Sequence, residues 1–424
     1  MKLVVAWVWL AFGAAWAGLA LVAVVRWTAR EGNARIYWDS LALAANELTL
    51  PMMLIALLCS ALFWSVGGAQ TWPGHAGAAL TGLSLLLLVV ALQRSAGEGE
   101  RLEQALQAAL GADYRSRILP ERARLLRADV RLSDWARPLR FDLDGIETVA
   151  DVPYGEFGER NRLDILRPAT PASASVPPRP VLLHIHGGGM MTGRKNEAAL
   201  PLVHHLARSG WVVVTINYRL APAARWPAQV IDCKRALAWI RDHIAEYGGD
   251  PGFVAVTGGS AGGNLSTHLA FTPGMAQYQT GFESADTHVQ AAVPFYAGYD
   301  WENYPGPEPM KHWIYAQVLP EATRDDPRVQ ADIRPDTYRN AEAPPFFVLT
   351  GTHDALVPVE ATRQFVAKLR AVARAPVVYA EQLGGNHGYD GQHSLRTEFA
   401  VNAVHRFLEF VYSDHLRRQR TSAS

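Results

Sequence analysis

The stretch FVAVTGGSAGG, residues 253–263, sets a short apolar run against a turn in which Gly258, Gly259, Ser260, Ala261 and Gly262 fit the pattern G-x-S-x-G. The apolar run reads as a strand, and GGNLSTHLA, residues 262–270, reads as the helix that follows it. A serine on such a strand-to-helix turn projects its hydroxyl out of the sheet. Glycines on either side let the helix pack against the turn without side-chain clashes. The five-residue pattern is common by chance; its place between a strand and a helix makes Ser260 a candidate nucleophile.

Upstream, VLLHIHGGGM at 181–190 is a second apolar run ending in glycines. Attack on an acyl carbonyl develops negative charge on its oxygen, and backbone N–H groups aimed at that oxygen stabilise it by several kcal/mol. Gly188, Gly189 and Ala261 are the expected donors, Gly187 shapes the turn, and His186 supports the loop structurally. His184 and His186 share a strand, but no third ligand at useful spacing accompanies them, so no metal is expected.

Downstream, a serine nucleophile needs a base and a group that fixes the imidazole tautomer. PPFFVLTGTHDALVP, 344–358, places Asp354 in a loop after a strand, and VVYAEQLGGNHGYD, 377–390, places His387 after the last one. His353, His393 and Asp390 compete less well, being adjacent to the acid, farther along the chain and too close to the base. The chemistry expected is ester hydrolysis through an acyl-enzyme, with no cofactor. The alternatives are acyl transfer or small-ester or amide hydrolysis with the same three groups, and an inactive membrane receptor on an enzyme scaffold.

Between these motifs, apolar runs at 163–166, 181–185, 211–216, 253–257, 291–295, 346–349 and 377–379 alternate mostly with helix-like stretches such as 198–208 and 227–247. Runs apolar on both faces and spaced this way predict a mostly parallel sheet covered by helices. PATPASASVPPRP, 168–180, reads as a surface loop between strands. Met190, Met191, Tyr296, Tyr299 and Trp301 follow the oxyanion glycines or a strand end and are candidate pocket residues.

The first ninety-odd residues differ in kind. Leu3 to Val25 contains no charged side chain, and 23 residues at about 1.5 Å each cover a hydrocarbon layer of about 30 Å. Further spans are expected at 48–66 and 74–92, giving a transmembrane region over 1–93. The apolar core of the first is longer than that of a signal peptide and precedes no clean cleavage site. Trp27, Trp64 and Trp72 lie near span ends, where indole suits the headgroup region. Arg26, Arg30 and Arg35 follow the first span and Arg94 and Arg101 the third, while the connector between the second and third has no Lys or Arg. With three spans, this bias places the catalytic domain in the cytoplasm.

Residues 94–140 hold ten Arg against seven Asp or Glu and are expected to form linker or cap helices. Leu102, Leu106 and Leu110 mark one face of a helix that packs on the enzyme or lies at the membrane interface. The catalytic domain is expected over 141–412, followed by a polar, basic, disordered tail over 413–424. Across the chain 40 basic residues, 35 of them Arg, balance 40 acidic ones, which gives no electrostatic case for nucleic acid. Cys59 and Cys233 are the two cysteines and suggest no disulfide framework.

Taken together, the glycines after His186, NYRLAPAARWPAQVIDC at 217–233, the Ser260 turn, Asp354 and His387 resemble the hormone-sensitive-lipase-like esterases. The resemblance covers about 151–411 and implies an α/β-hydrolase fold, with YRLAP supporting the site from a neighbouring loop. It also implies a cap drawn from part of 113–135 and carboxylic ester substrates. Such enzymes usually carry Asp before the nucleophile, where this chain has Gly259. The partners expected are a lipid bilayer and a lipophilic or small ester.

Overall fold

The computed structural model describes residues 1–25, 33–127, 130, 135, 137–170, 178–302 and 308–422. Arg26, Trp27, Arg30 and the middle of the 168–180 loop lie outside the described residues.

Eight strands form one sheet: β1 (Ile146–Pro153), β2 (Arg162–Pro168), β3 (Arg179–Ile185), β4 (Val212–Ile216), β5 (Gly249–Gly259), β6 (Ala291–Phe295), β7 (Phe346–Gly351) and β8 (Val377–Gln382). Their order is β1-β2-β4-β3-β5-β6-β7-β8. The first two strands pair antiparallel and every pairing from β4 to β8 is parallel. This is an α/β-hydrolase fold. Val181, Leu183, Val214, Val254 and Val256 point into one apolar layer, and Leu182, Val213, Phe253 and Ala255 point into the other. Such two-sided burial is why these strands read as unbroken apolar runs. β1, at the sheet edge, has only intermediate and exposed positions and leaves a weaker trace in the sequence.

Ahead of the sheet stand α1 (Lys2–Val24), α2 (Asn33–Glu47), α3 (Thr49–Ser65), α4 (Trp72–Ala96) and α5 (Glu98–Leu110). By length and composition α1 and the continuous α4–α5 rod can cross a membrane; α2 and α3, bent by 79° at their junction, pass the same test as a pair. Leu3, Trp7, Leu58, Leu62, Trp64 and Leu86 are exposed on these helices. α1 and α4 approach closely at Gly13 and Gly77: a Cβ on Gly13 would lie 2.6 Å from the Gly77 carbonyl oxygen. Small residues at such a crossing are the usual way helices associate in lipid.

α5 is not a surface connector. Leu102, Leu106 and Leu110 are buried in the same layer as Val401, Val404, Phe407 and Leu408 of the last helix, Leu395–Ser422. That helix also corrects the expected disordered tail. Phe410, Val411 and Tyr412 are buried, and the Ser413 hydroxyl accepts the Leu119 N–H at 3.0 Å, so helical structure continues to Ser422.

Candidate active site

Every candidate group sits at the carboxyl end of a parallel strand, the edge where open α/β sheets place their ligands. Parallel register sets Ile185 of β3 opposite Gly258 of β5, which brings the 186–189 turn beside the Ser260 turn. Ser260 has φ 57° and ψ −119°, a backbone conformation that costs a non-glycine residue on the order of 1–3 kcal/mol. The turn is tied across the sheet by the Ser260 N–H donating to the Phe295 carbonyl at 2.9 Å. Close contact explains the glycines: a Cβ on Gly262 would stand 2.0 Å from the Ile185 carbonyl oxygen, and one on Gly258 2.4 Å from the same atom. Gly259 leaves room for the Tyr296 ring, whose hydroxyl would be 2.5 Å from an added Cβ.

The loops after β7 and β8 meet. His387 Nδ1 lies 2.8 Å from Asp354 Oδ2, while Asp354 Oδ1 accepts the Leu356 and Val357 N–H groups at 2.8 and 2.7 Å. The carboxylate is thus held at both oxygens, one by backbone and one by the imidazole. Burial opposes protonation of His387, but the charge and hydrogen bond of Asp354 outweigh it, with Asp39 and Asp390 adding to the field. The ring therefore titrates above its ordinary value.

A cavity of about 680 Å³ collects the site. Ser260, His387, Gly187, Gly188, Gly189 and Ala261 line it, with His186 at its edge. Its apolar walls include Met190, Met191, Trp301, Trp313, Ile314, Leu356 and Val357. Tyr296 also lines it, with its ring centroid 4.7 Å from that of His387 and its hydroxyl hydrogen-bonded to buried Asp390. Tyr299 does not: its ring stacks on Phe365 in the core at 3.7 Å. Of the segment expected to supply a cap, residues 128, 129 and 131–134 lie outside the described residues. The described residues of 113–127 do not line the cavity but pack on the last helix through Tyr114, Ile118 and the Arg122–Glu409 ion pair. Trp313 and Ile314, on the helix Glu308–Val318, stand over the cavity instead.

His186 stacks on Tyr218 at 4.3 Å, and the Tyr218 hydroxyl donates to the His186 carbonyl at 3.0 Å. The Ala221 N–H donates to the Met190 carbonyl at 2.8 Å, so the 217–222 stretch buttresses both ends of the glycine turn. Burial pushes His186 down to about 4 and His184 to about 3, which keeps both rings neutral. No group of three or more metal-binding side chains is present among the described residues.

The BD-FAE family model matches residues 163–369. LipM of Mycobacterium tuberculosis, a probable carboxylic ester hydrolase, is 40% identical over 407 residues, covering 93% of this chain and 91% of LipM. The chain belongs to the BD-FAE family of α/β-hydrolase esterases. It is homologous to the mycobacterial Lip esterases; esterase LipQ of the same organism is 40% identical over 274 residues, 64% of this chain and 65% of LipQ. Among solved structures, esterase B of Lactobacillus rhamnosis covers 76% of this chain and 97% of its own, with TM-score 0.54 and 19% identity. That likeness concerns the fold. This BD-FAE chain is a serine-hydrolase-type esterase acting on carboxylic esters.

The hormone-sensitive-lipase-like assignment is thereby corrected. Oxyanion glycines, a serine turn and an acid followed by a histidine are what acyl chemistry requires of this fold, so they do not separate one esterase family from another. Asp39, Asn46 and Trp313 were missed. A carboxylate in the mainly apolar segment before Leu48 was the available signal for Asp39.

Proposed function

We propose that this esterase is anchored in a membrane and hydrolyses lipophilic carboxylic esters with Ser260 as nucleophile, His387 as base and Asp354 as the group that orients it. The observation that carries this reading is the single apolar cavity on which Ser260, the His387–Asp354 pair and the glycine turn converge. His387 accepts the Ser260 proton as the serine oxygen attacks the ester carbonyl, and the N–H groups of Gly188, Gly189 and Ala261 stabilise the oxyanion. The imidazolium then protonates the leaving alcohol. Water, deprotonated by His387, attacks the acyl-enzyme, and collapse of the second intermediate returns the proton to Ser260.

Three apolar helices alternate in direction, which supports three crossings. The start of α1 lies beside the α3–α4 turn, where a Cβ on Gly68 would approach Trp9 and Val5. Its end lies beside the end of α4, where Arg94 donates to the Val24 carbonyl at 2.8 Å. In the sequence Arg26, Arg30 and Arg35 follow the first span, Arg94 stands at the end of α4 and Arg101 just beyond it, whereas Lys2 opens α1. Retention of positive charge on the cytoplasmic side then supports a catalytic domain in the cytoplasm. An apolar pocket on a bilayer-bound body suits esters that partition into lipid.

The test is hydrolysis of p-nitrophenyl esters from acetate to palmitate by detergent-purified full-length protein and its Ser260→Ala variant. Activity lost in the variant and rising with acyl length is the expected outcome. A variant as active as the parent overturns the serine assignment, and a preference for acetate overturns the lipophilic one.

A further inference from the structure

α2 belongs to the membrane-side region, yet its polar side chains are spent on the two loops that carry the acid and the base. One oxygen of Asp39, Oδ1, accepts the N–H of Ala355 at 3.2 Å and the side-chain amide of Asn386 at 3.2 Å. Ala355 follows Asp354 and Asn386 precedes His387, so a single carboxylate bridges the two. Asn46 donates from Nδ2 to Asn386 Oδ1 at 2.7 Å and to the Gly384 carbonyl at 3.2 Å. All three of these side chains are buried.

The seat extends further. Glu47, at the end of α2, pairs with buried Arg396 at 2.8 Å. Arg396 donates to the Leu383 carbonyl at 2.7 Å, and Glu98 of α5 accepts the Leu383 N–H at 2.7 Å. A buried ion pair is a poor source of net stability, but removing one partner is costly, so it fixes one arrangement.

We infer that α2 is part of the catalytic apparatus: Asp39 and Asn46 are positioning residues that set the geometry between the Asp354 turn and the His387 loop, so the enzyme requires its membrane-side helix for turnover. This rests on the assignment of Asp354 and His387 given above. The charged groups that face His387 are Asp354 from the β7 loop, Asp390 from its own loop and Asp39 from α2, with the Tyr296 phenol bound to Asp390. Asp39 therefore acts on the base in two separable ways, through its hydrogen bonds and through its charge.

The experiment uses full-length protein in detergent micelles and p-nitrophenyl butyrate, comparing Asp39→Ala, Asp39→Asn, Asn46→Ala and Ser260→Ala. Displacement of reacting groups by an ångström can cost about a hundredfold. Asp39→Ala and Asn46→Ala are expected to lower kcat by roughly ten- to a hundredfold with KM within about twofold. Asp39→Asn retains the accepting oxygen and loses the charge. It is expected to recover most of kcat and to shift the acid limb of the kcat/KM profile to lower pH. Parental kcat in both alanine variants, with Ser260→Ala inactive, would overturn the inference. Should the alanine variants fail to unfold cooperatively on heating, the near-isosteric Asp39→Asn decides alone, an unmoved acid limb counting against it. Activity in Ser260→Ala would instead remove the catalytic assignment beneath it.

Discussion

Gly262→Ala is the sharpest test of how the site is built. The added methyl would stand 2.0 Å from the Ile185 carbonyl oxygen and 2.7 Å from that of His186, both main-chain atoms that no rotamer change can move. A carbon–oxygen contact settles near 3.3 Å, so the end of β3 and the serine turn must separate by about 1.3 Å. Those two segments carry Gly188 and Gly189 on one side and Ser260 and Ala261 on the other, so the separation falls on the distance from nucleophile to oxyanion donors. A misplacement of that size lowers kcat/KM by about a hundredfold. Alanine gains about 1 kcal/mol over glycine in a helix, against about 1–3 kcal/mol for overpacking, so a net loss of up to about 2 kcal/mol of stability accompanies the collapse of activity. The assay is kcat/KM on p-nitrophenyl butyrate beside thermal unfolding. Gly82→Ala serves as control, since a Cβ there meets nothing within 4 Å. Gly262→Ala within about twofold of the parent would refute the argument that backbone contact at this point sets the site.

Two further outcomes follow from the structure. Because Asp354 raises the folded-state value of His387, the stability from the protonated pair is fully present below the ordinary histidine value of about 6.5 and is lost as pH rises through the folded value. The base works once that proton has left, so the acid limb of kcat/KM is expected to have its midpoint above about 6.5, and a midpoint below it in the parent enzyme contradicts the pairing. Leu106→Ala, at a fully buried position of α5, is expected to cost about 2–5 kcal/mol and lower the thermal midpoint, whereas Gln107→Ala on the exposed side leaves it unmoved; equal midpoints would mean that α5 does not bind the hydrolase core.

The strands that carry the site were legible because burial on both faces leaves uninterrupted apolar runs, as in Val181–Ile185 and Phe253–Val256. Their chemistry was legible because acyl transfer imposes an order on Ser260, Asp354 and His387. What the residues could not announce were partnerships across long separations. Asp39 lies more than three hundred positions from Ala355 and Asn386; a carboxylate in a mainly apolar segment hints at burial but not at these partners. Tyr299 shares its neighbourhood with Tyr296 and Trp301, but it faces Phe365 instead of the cavity. The helix beyond Ser413 looked polar because its contacts to Leu119 and Glu121 come from a segment far earlier in the chain.

The join between α4 and α5 has a consequence of its own. Gly97 alone separates them, and the hydrogen-bond ladder runs through it, from Gly97 N–H to the Gln93 carbonyl and from Arg101 N–H to the Gly97 carbonyl. One end of this rod is keyed to α1 and the other to the core through Leu102, Leu106 and Leu110. Inserting one residue would rotate one end against the other by about 100° and lengthen the rod by about 1.5 Å. With the proposed anchoring, the rod works as a phase lock between bilayer and enzyme. The catalytic body would then ride at one height and one azimuth over the lipid, and the chain can drift in sequence there far more freely than in length.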